Sequence, residues 1–148
     1  MEEHSIVGDL PTSAFVQNSY LFKSLDSDGC KMLIDNAYLG SFAEDEVIIR
    51  EGDDGDAFYL IKSGSVEISV EKDNKKVVLS SLKRGAFFGE VSVLTENSRT
   101  ATVTAEEDCE LVVFNRKNIQ GVLQKYPRVK AILHAILIAR AQNTIQNM

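Results

Sequence analysis

The chain offers little from which to build a metal or redox centre. Its two cysteines, Cys30 and Cys109, stand far apart with no CxxC spacing. Two buried free thiols in a reducing cytoplasm are therefore expected, one in a helix and one in a strand, rather than a disulfide or a metal site. His4 and His134 have no Cys or His partner at ligand spacing, and no Ser or Cys nucleophile set accompanies them, so neither a metal site nor a catalytic triad is expected. The longest apolar stretch, around Ala135 to Ala139, is broken by His134 and Arg140 and falls far short of a bilayer span. The opening MEEHSIVGDL lacks the basic and apolar regions of a secretory signal, which makes the cytoplasm the expected location and gives no membrane partner. No run of Lys or Arg occurs, and a net charge of -6 repels a polyanion, so nucleic acid is not expected as a direct partner.

What remains is the composition of one soluble globular domain: 148 residues, 44% hydrophobic and 26% charged, enough to bury a single core. Residues 1–20 carry little periodicity and read as a tail or helix. From Leu25 the pattern becomes helical: Asp26 or Ser27 can cap a helix whose apolar positions Met32, Leu33, Ala37 and Tyr38 recur at three to four residues. Between Gly40 and Asn115 the period falls to two, most clearly in Ser65-Val66-Glu67-Ile68-Ser69-Val70-Glu71. Val47–Arg50, Phe58–Lys62, Val77–Leu82, Thr100–Ala105 and Glu110–Phe114 supply further short strands, separated by turn clusters such as Gly52-Asp53-Asp54-Gly55 and Lys72-Asp73-Asn74. Short strands at this spacing predict a mainly β fold, an antiparallel sandwich or roll. After Asn115 the chain turns helical again, with one helix over Arg116–Lys125 and a second opened by Pro127 and running to the C-terminus. That last helix has a stripe of Val129, Ile132, Leu133, Ile136, Leu137, Ala141 and Ile145, and its other side (Ala131, Ala135, Ile138, Ala139) is nearly as apolar. One surface cannot cover both, so the helix is expected to pack on the roll and on a second copy of the chain.

The segment that carries chemistry is Gly85-Ala86-Phe87-Phe88-Gly89-Glu90-Val91-Ser92-Val93-Leu94, followed by Thr95-Glu96-Asn97-Ser98-Arg99-Thr100-Ala101-Thr102-Val103. A glycine-started turn of helix here would present free backbone N–H groups to an anion. Glu90 lies in that same turn, where a carboxylate competes with an anion unless it accepts hydrogen bonds from something else, such as a sugar hydroxyl. Nine residues on, Arg99 can grip two phosphate oxygens at once. Spacing alone leaves open a second arrangement in which Glu90 and Arg99 merely pair with each other or with solvent.

Phe88-Gly89-Glu90 followed by Arg99-Thr100-Ala101 resembles the phosphate-binding cassette of the cyclic-nucleotide-binding domain family, whose members include protein kinase regulatory subunits, gated channels and the bacterial catabolite activator. Leu21-Phe22 with Leu25, the loop Glu51 to Asp56, the Phe58-Tyr59 strand and the Gly64 turn resemble further family signposts in the same order. The resemblance covers residues 20 to 147. It implies a double-stranded, jelly-roll-like β-roll with an N-terminal helix and a C-terminal helix pair. The domain would occupy residues 21–148, with 127–148 as lid and dimer helix.

The resemblance also implies a sensor that binds cAMP or cGMP, with no cofactor and no catalytic residues, coupling capture to movement of its last helix and through it to a downstream effector. By position, Arg99 would bind the cyclic phosphate and Glu90 the ribose 2′-hydroxyl. Gly89, Val91 and Ser92 would line the pocket, with main-chain amides at Gly89 and Ser92. Thr100 resembles a threonine that reaches a guanine in some members, and Thr144 falls where the catabolite activator has a threonine on adenine; the balance favours cAMP. Two other readings compete: the sensor part of a transcription regulator whose DNA-binding unit lies outside these residues, and a degenerate roll that binds only protein. Gly52, Gly55, Gly64 and Gly85 are expected at turns with positive φ. The acidic residues from Glu44 to Asp56 lack calcium-loop spacing and are expected as a solvated edge. Phe87, Phe88, Tyr59 and Phe114 are expected in the core.

Overall fold

A computed structural model describes residues 2–52, 57–89 and 101–146, with side chains described over 4–52, 57–89 and 101–140. Along the chain run β1 (Glu2–Ser5), α1 (Leu10–Gln17), α2 (Ser27–Ile34), β2 (Tyr38–Phe42), β3 (Val47–Ile49), β4 (Ala57–Ser63), β5 (Ser65–Lys72), β6 (Lys75–Lys83) and β7 (Phe87–Phe88). Then come β8 (Thr102–Ala105), β9 (Cys109–Asn115), α3 (Arg116–Lys125) and α4 (Pro127–Gln146). The strands form two antiparallel sheets, ordered β1-β2-β9-β4-β7 and β3-β8-β5-β6. The period-two pattern predicts a sandwich or roll, and the resemblance implies the double-sheeted β-roll with flanking helices found here.

The molecule has three layers, read from its two apolar clusters. One cluster joins helix residues Val16, Leu33, Ile119, Val122, Val129 and Leu133 to Phe58, Leu60, Phe87, Val112 and Phe114 of the five-stranded sheet. The other joins Phe42, Ile61, Phe88, Leu111 and Val113 of that sheet to Ile49, Val66, Val103 and Ala105 of the four-stranded one. The central strands β9 and β4 of the five-stranded sheet are thus buried on both faces, which is why Leu111-Val112-Val113-Phe114 is one unbroken apolar run.

Local chemistry fixes the element boundaries. Asp26 caps α2 by accepting from the Gly29 N–H at 2.8 Å. The expected continuation of this helix through Ala37 and Tyr38 does not occur. Asp35 is extended (φ -50, ψ 131) and Asn36 sits at φ 63, a left-handed conformation that asparagine tolerates. Tyr38 instead starts β2, paired with Val113. The N-terminal segment holds a strand as well as a helix: β1 pairs with β2, and Ile6 behind it is fully buried. Asp9 caps α1, accepting from the Thr12 N–H at 3.1 Å and the Thr12 hydroxyl at 2.7 Å.

In β5 the alternation holds through Val66 and Ile68, both packed between the sheets. Beyond a register shift at Ile68/Ser69 it fails, and Ser69 is buried while Val70 is half-buried. The β5–β6 hairpin turns at Asp73 (φ 54) and Asn74 (φ 64), the doubly left-handed turn that matches strand twist. Gly52, Gly64 and Gly85 have the expected positive φ; Gly55 lies outside the described residues.

Candidate functional site

The cassette segment is framed by two strands of different sheets. It is entered from β7, the edge strand that pairs with β4 (Tyr59 opposite Phe88, Leu60 opposite Phe87). It leaves into β8, which lies between β3 and β5 in the second sheet. The chain therefore passes from one sheet to the other between β7 and β8. Of the candidate ligand residues, Gly89 is half-buried with φ 91, a conformation that favours glycine. Glu90, Val91, Ser92, Arg99 and Thr100 lie outside the described residues. Thr144 belongs to the last turn of α4, and its side chain is likewise not among those described.

The entry to the cassette is firmly held. The Gly85 N–H donates to the Ile61 carbonyl at 2.8 Å, the Ile61 N–H returns to the Ala86 carbonyl at 3.0 Å, and the Ala86 N–H donates to the Lys83 carbonyl at 3.0 Å. Arg84 donates to the Lys62 carbonyl at 2.6 Å, and its guanidinium lies 4.4 Å from the centre of the Phe15 ring, tying α1 to the same turn. The two phenylalanines of β7 point to opposite faces. Phe87 meets Phe22 edge-on at 5.4 Å and stacks on Phe58 at 5.3 Å. Phe88 stacks on Tyr59 at 4.7 Å with rings 9° apart. Phe87, Phe88 and Phe114 are core, as expected, whereas Tyr59 is half-buried and packs against the inner cluster.

The exit is polar. The Thr102 hydroxyl accepts from the Glu51 N–H at 3.0 Å, and the Glu51 carboxylate accepts from the Glu71 N–H at 3.0 Å. These residues, with Arg50, Gly52, Asp73 and Asn74, line an open hollow of about 710 Å³. Sequence reading did not single out Arg50, Glu51 or Thr102 as a group, because the contacts that join them span 20 and 51 residues.

The acidic edge has backbone tasks. Asp108 accepts from the Glu44 N–H at 2.9 Å and Glu46 from the Ala43 N–H at 3.2 Å. Among the described residues, no group of three or more His, Cys, Asp or Glu is placed to hold a metal ion. Nor is any helix among them long and apolar enough to cross a membrane. Both cysteines are free and buried, Cys30 in α2 and Cys109 in β9. Burial pushes both thiols above their usual range, so they stay protonated and weakly nucleophilic. The Cys109 thiol donates to the carbonyls of Ser65 (3.2 Å) and Glu107 (3.1 Å).

Comparison with known proteins agrees with this architecture. The family model described as the cyclic nucleotide-binding domain matches residues 39–126. A cAMP-dependent protein kinase regulatory subunit of Candida albicans is 35% identical over 129 residues, which is 84% of this chain and 26% of that protein. The chain thus spans about a quarter of the length of that relative. Among solved structures, the regulatory domain of Toxoplasma gondii PKA co-crystallised with cAMP superposes with a TM-score of 0.72 at 28% identity, covering 78% of this chain and 44% of that one. The catabolite activator protein of Thermus thermophilus gives 0.74 at 28% identity, covering 85% and 60%. With the match spanning the strands that frame the cassette and the cassette itself, the chain belongs to the cyclic nucleotide-binding domain family.

Proposed function

We propose that this domain is a non-catalytic cytoplasmic sensor that captures cAMP in preference to cGMP and transmits capture through α4 to an effector. The observation that carries the reading is the cassette Phe88-Gly89-Glu90 to Arg99-Thr100-Ala101, set where the chain passes from β7 of one sheet to β8 of the other. In this reading Arg99 clamps the cyclic phosphate bidentately, Glu90 accepts from the ribose 2′-hydroxyl, and Gly89, Val91 and Ser92 line the pocket. Thr100 faces the phosphate, while Thr144 at the end of α4 meets the adenine amine. A hydroxyl both donates and accepts, so base preference amounts to one hydrogen bond, roughly 0.5–1.5 kcal/mol. Titrating cAMP and cGMP into the wild type, Thr100→Ala and Thr144→Ala tests it. The expected result is tighter cAMP and a selective loss of cAMP in Thr144→Ala. Normal cAMP binding in that variant with lost cGMP in Thr100→Ala would reverse the assigned preference.

The proposed partner of α4 is a second copy. Val129 and Leu133 are fully buried against the domain, whereas Ile138 is 59% exposed, leaving an apolar side of the helix for a two-fold seam. Every charged residue of α4 is basic (Arg128, Lys130, Arg140), so such a seam brings like charges together. Association should therefore tighten with added salt. Light scattering across salt concentrations checks this, and a monomer throughout refutes it.

A further inference from the structure

Tyr126 is the single residue between α3 and α4, and it is bound to three helices at once. Its N–H donates to the Val122 carbonyl at 2.8 Å, closing α3, and its own carbonyl accepts from the Val129 N–H at 3.0 Å, opening α4. Its side chain crosses to α2, where the phenol donates to Asp26 Oδ1 at 2.6 Å. That same oxygen accepts from the Gly29 N–H, so one carboxylate oxygen caps α2 and holds the hinge between α3 and α4. The ring lies directly on Gly29: a Cβ there would sit 2.8 Å from the ring Cζ, 2.9 Å from Cε2 and 3.0 Å from Leu25 Cδ2. Only glycine leaves room for the ring. The contact is mutual in its electrostatics: the Tyr126 hydrogen bond is the first cause of the lowered Asp26 carboxyl, and the bond to Asp26 is the first cause of a phenol pushed up to about 12. Beyond the hinge, among the described side chains of α4, full burial is confined to Val129 and Leu133, in its first two turns.

We infer that Tyr126 is the positioning residue of α4: its hydrogen bond to Asp26 and the seat of its ring on Gly29 fix the direction in which α4 leaves the domain, and thereby the affinity for nucleotide. The affinity part rests on the reading above, in which α4 brings Thr144 to the base; the positioning part does not.

Amide hydrogen exchange of the whole chain separates the two. Tyr126→Phe removes one hydrogen bond and keeps the ring, so the amides of residues 129–140 should exchange roughly 2- to 12-fold faster, the factor that one net hydrogen bond represents, while β9 amides keep their rates. Gly29→Ala, which displaces the ring, should do the same or more. Asp26→Asn keeps an acceptor and a helix cap and should stay close to wild type. Titration of the same variants with cAMP should show affinity weakened by up to the same factor. Unchanged α4 exchange in both Tyr126→Phe and Gly29→Ala overturns the positioning role, and so does an acceleration spread equally over β9. Loosened α4 with wild-type cAMP affinity overturns the link to the site. Loosened α4 in a chain whose wild type binds no cAMP supports the positioning role and overturns the affinity link together with the functional reading.

Discussion

The two sides of the five-stranded sheet are packed by different partners. On one side β9 sends Leu111, Val113 and Cys109 into the space between the sheets; on the other it sends Val112 and Phe114 into the helices. β4 and β7 divide in the same way, Ile61 and Phe88 inward, Phe58, Leu60 and Phe87 toward the helices. The sheet-to-sheet side holds the shape of the roll. The helix side packs α2, α3 and α4, which share one cluster with Phe87 at the cassette entry. Phe87 also meets Phe22, in the connection between α1 and α2, edge-on.

Substitution can separate the two sides. Phe114 is fully buried and packs its ring 5.6 Å from Phe22 and 6.2 Å from Phe58. Phe114→Ala should cost about 3–5 kcal/mol in urea unfolding and speed exchange of α2 and α4 amides before those of β5 and β6. Leu111→Ala, fully buried on the inner side, should show the opposite order. Identical exchange patterns for the two variants would mean that the layers are not distinct.

A smaller effect is expected at the turns. Gly64 has φ 88, and a Cβ there would lie 2.6 Å from the Asp108 carbonyl oxygen and 2.7 Å from Cys109 Sγ. Gly64→Ala should cost about 2–4 kcal/mol, from positive-φ strain together with the clash against β9. Gly52 has the same φ with nothing within 4 Å, so Gly52→Ala should carry only the strain, about 1–2 kcal/mol. Equal costs would show that the contact between the Gly64 turn and β9 contributes nothing.

How far the sequence could be read follows from this division. Helix α4 was legible because Pro127 is a strong start signal, and β5 because Val66 and Ile68 alternate with polar neighbours. Three strands were not. β1 reads Glu-Glu-His-Ser and has no apolar residue to show a face, β7 is two residues long, and Tyr38 of β2 happens to continue the helical spacing of Met32 and Leu33. The candidate cassette could be put forward as a motif because Gly89 to Thr100 lie close together in sequence, whereas the hollow at Thr102 and the hinge contact of Tyr126 with Asp26 gave no such local pattern. The latter joins residues 100 apart, a distance over which no local pattern operates.

Titration calorimetry of the wild type and Arg99→Lys with cAMP and cGMP tests the central claim most directly. The wild type should bind both, cAMP more tightly by roughly 0.5–1.5 kcal/mol. Arg99→Lys should lose about 2–5 kcal/mol with the fold intact, because a point charge replaces a bidentate clamp. Equal affinities in the two proteins, or no binding heat from the wild type with either nucleotide, would contradict the account.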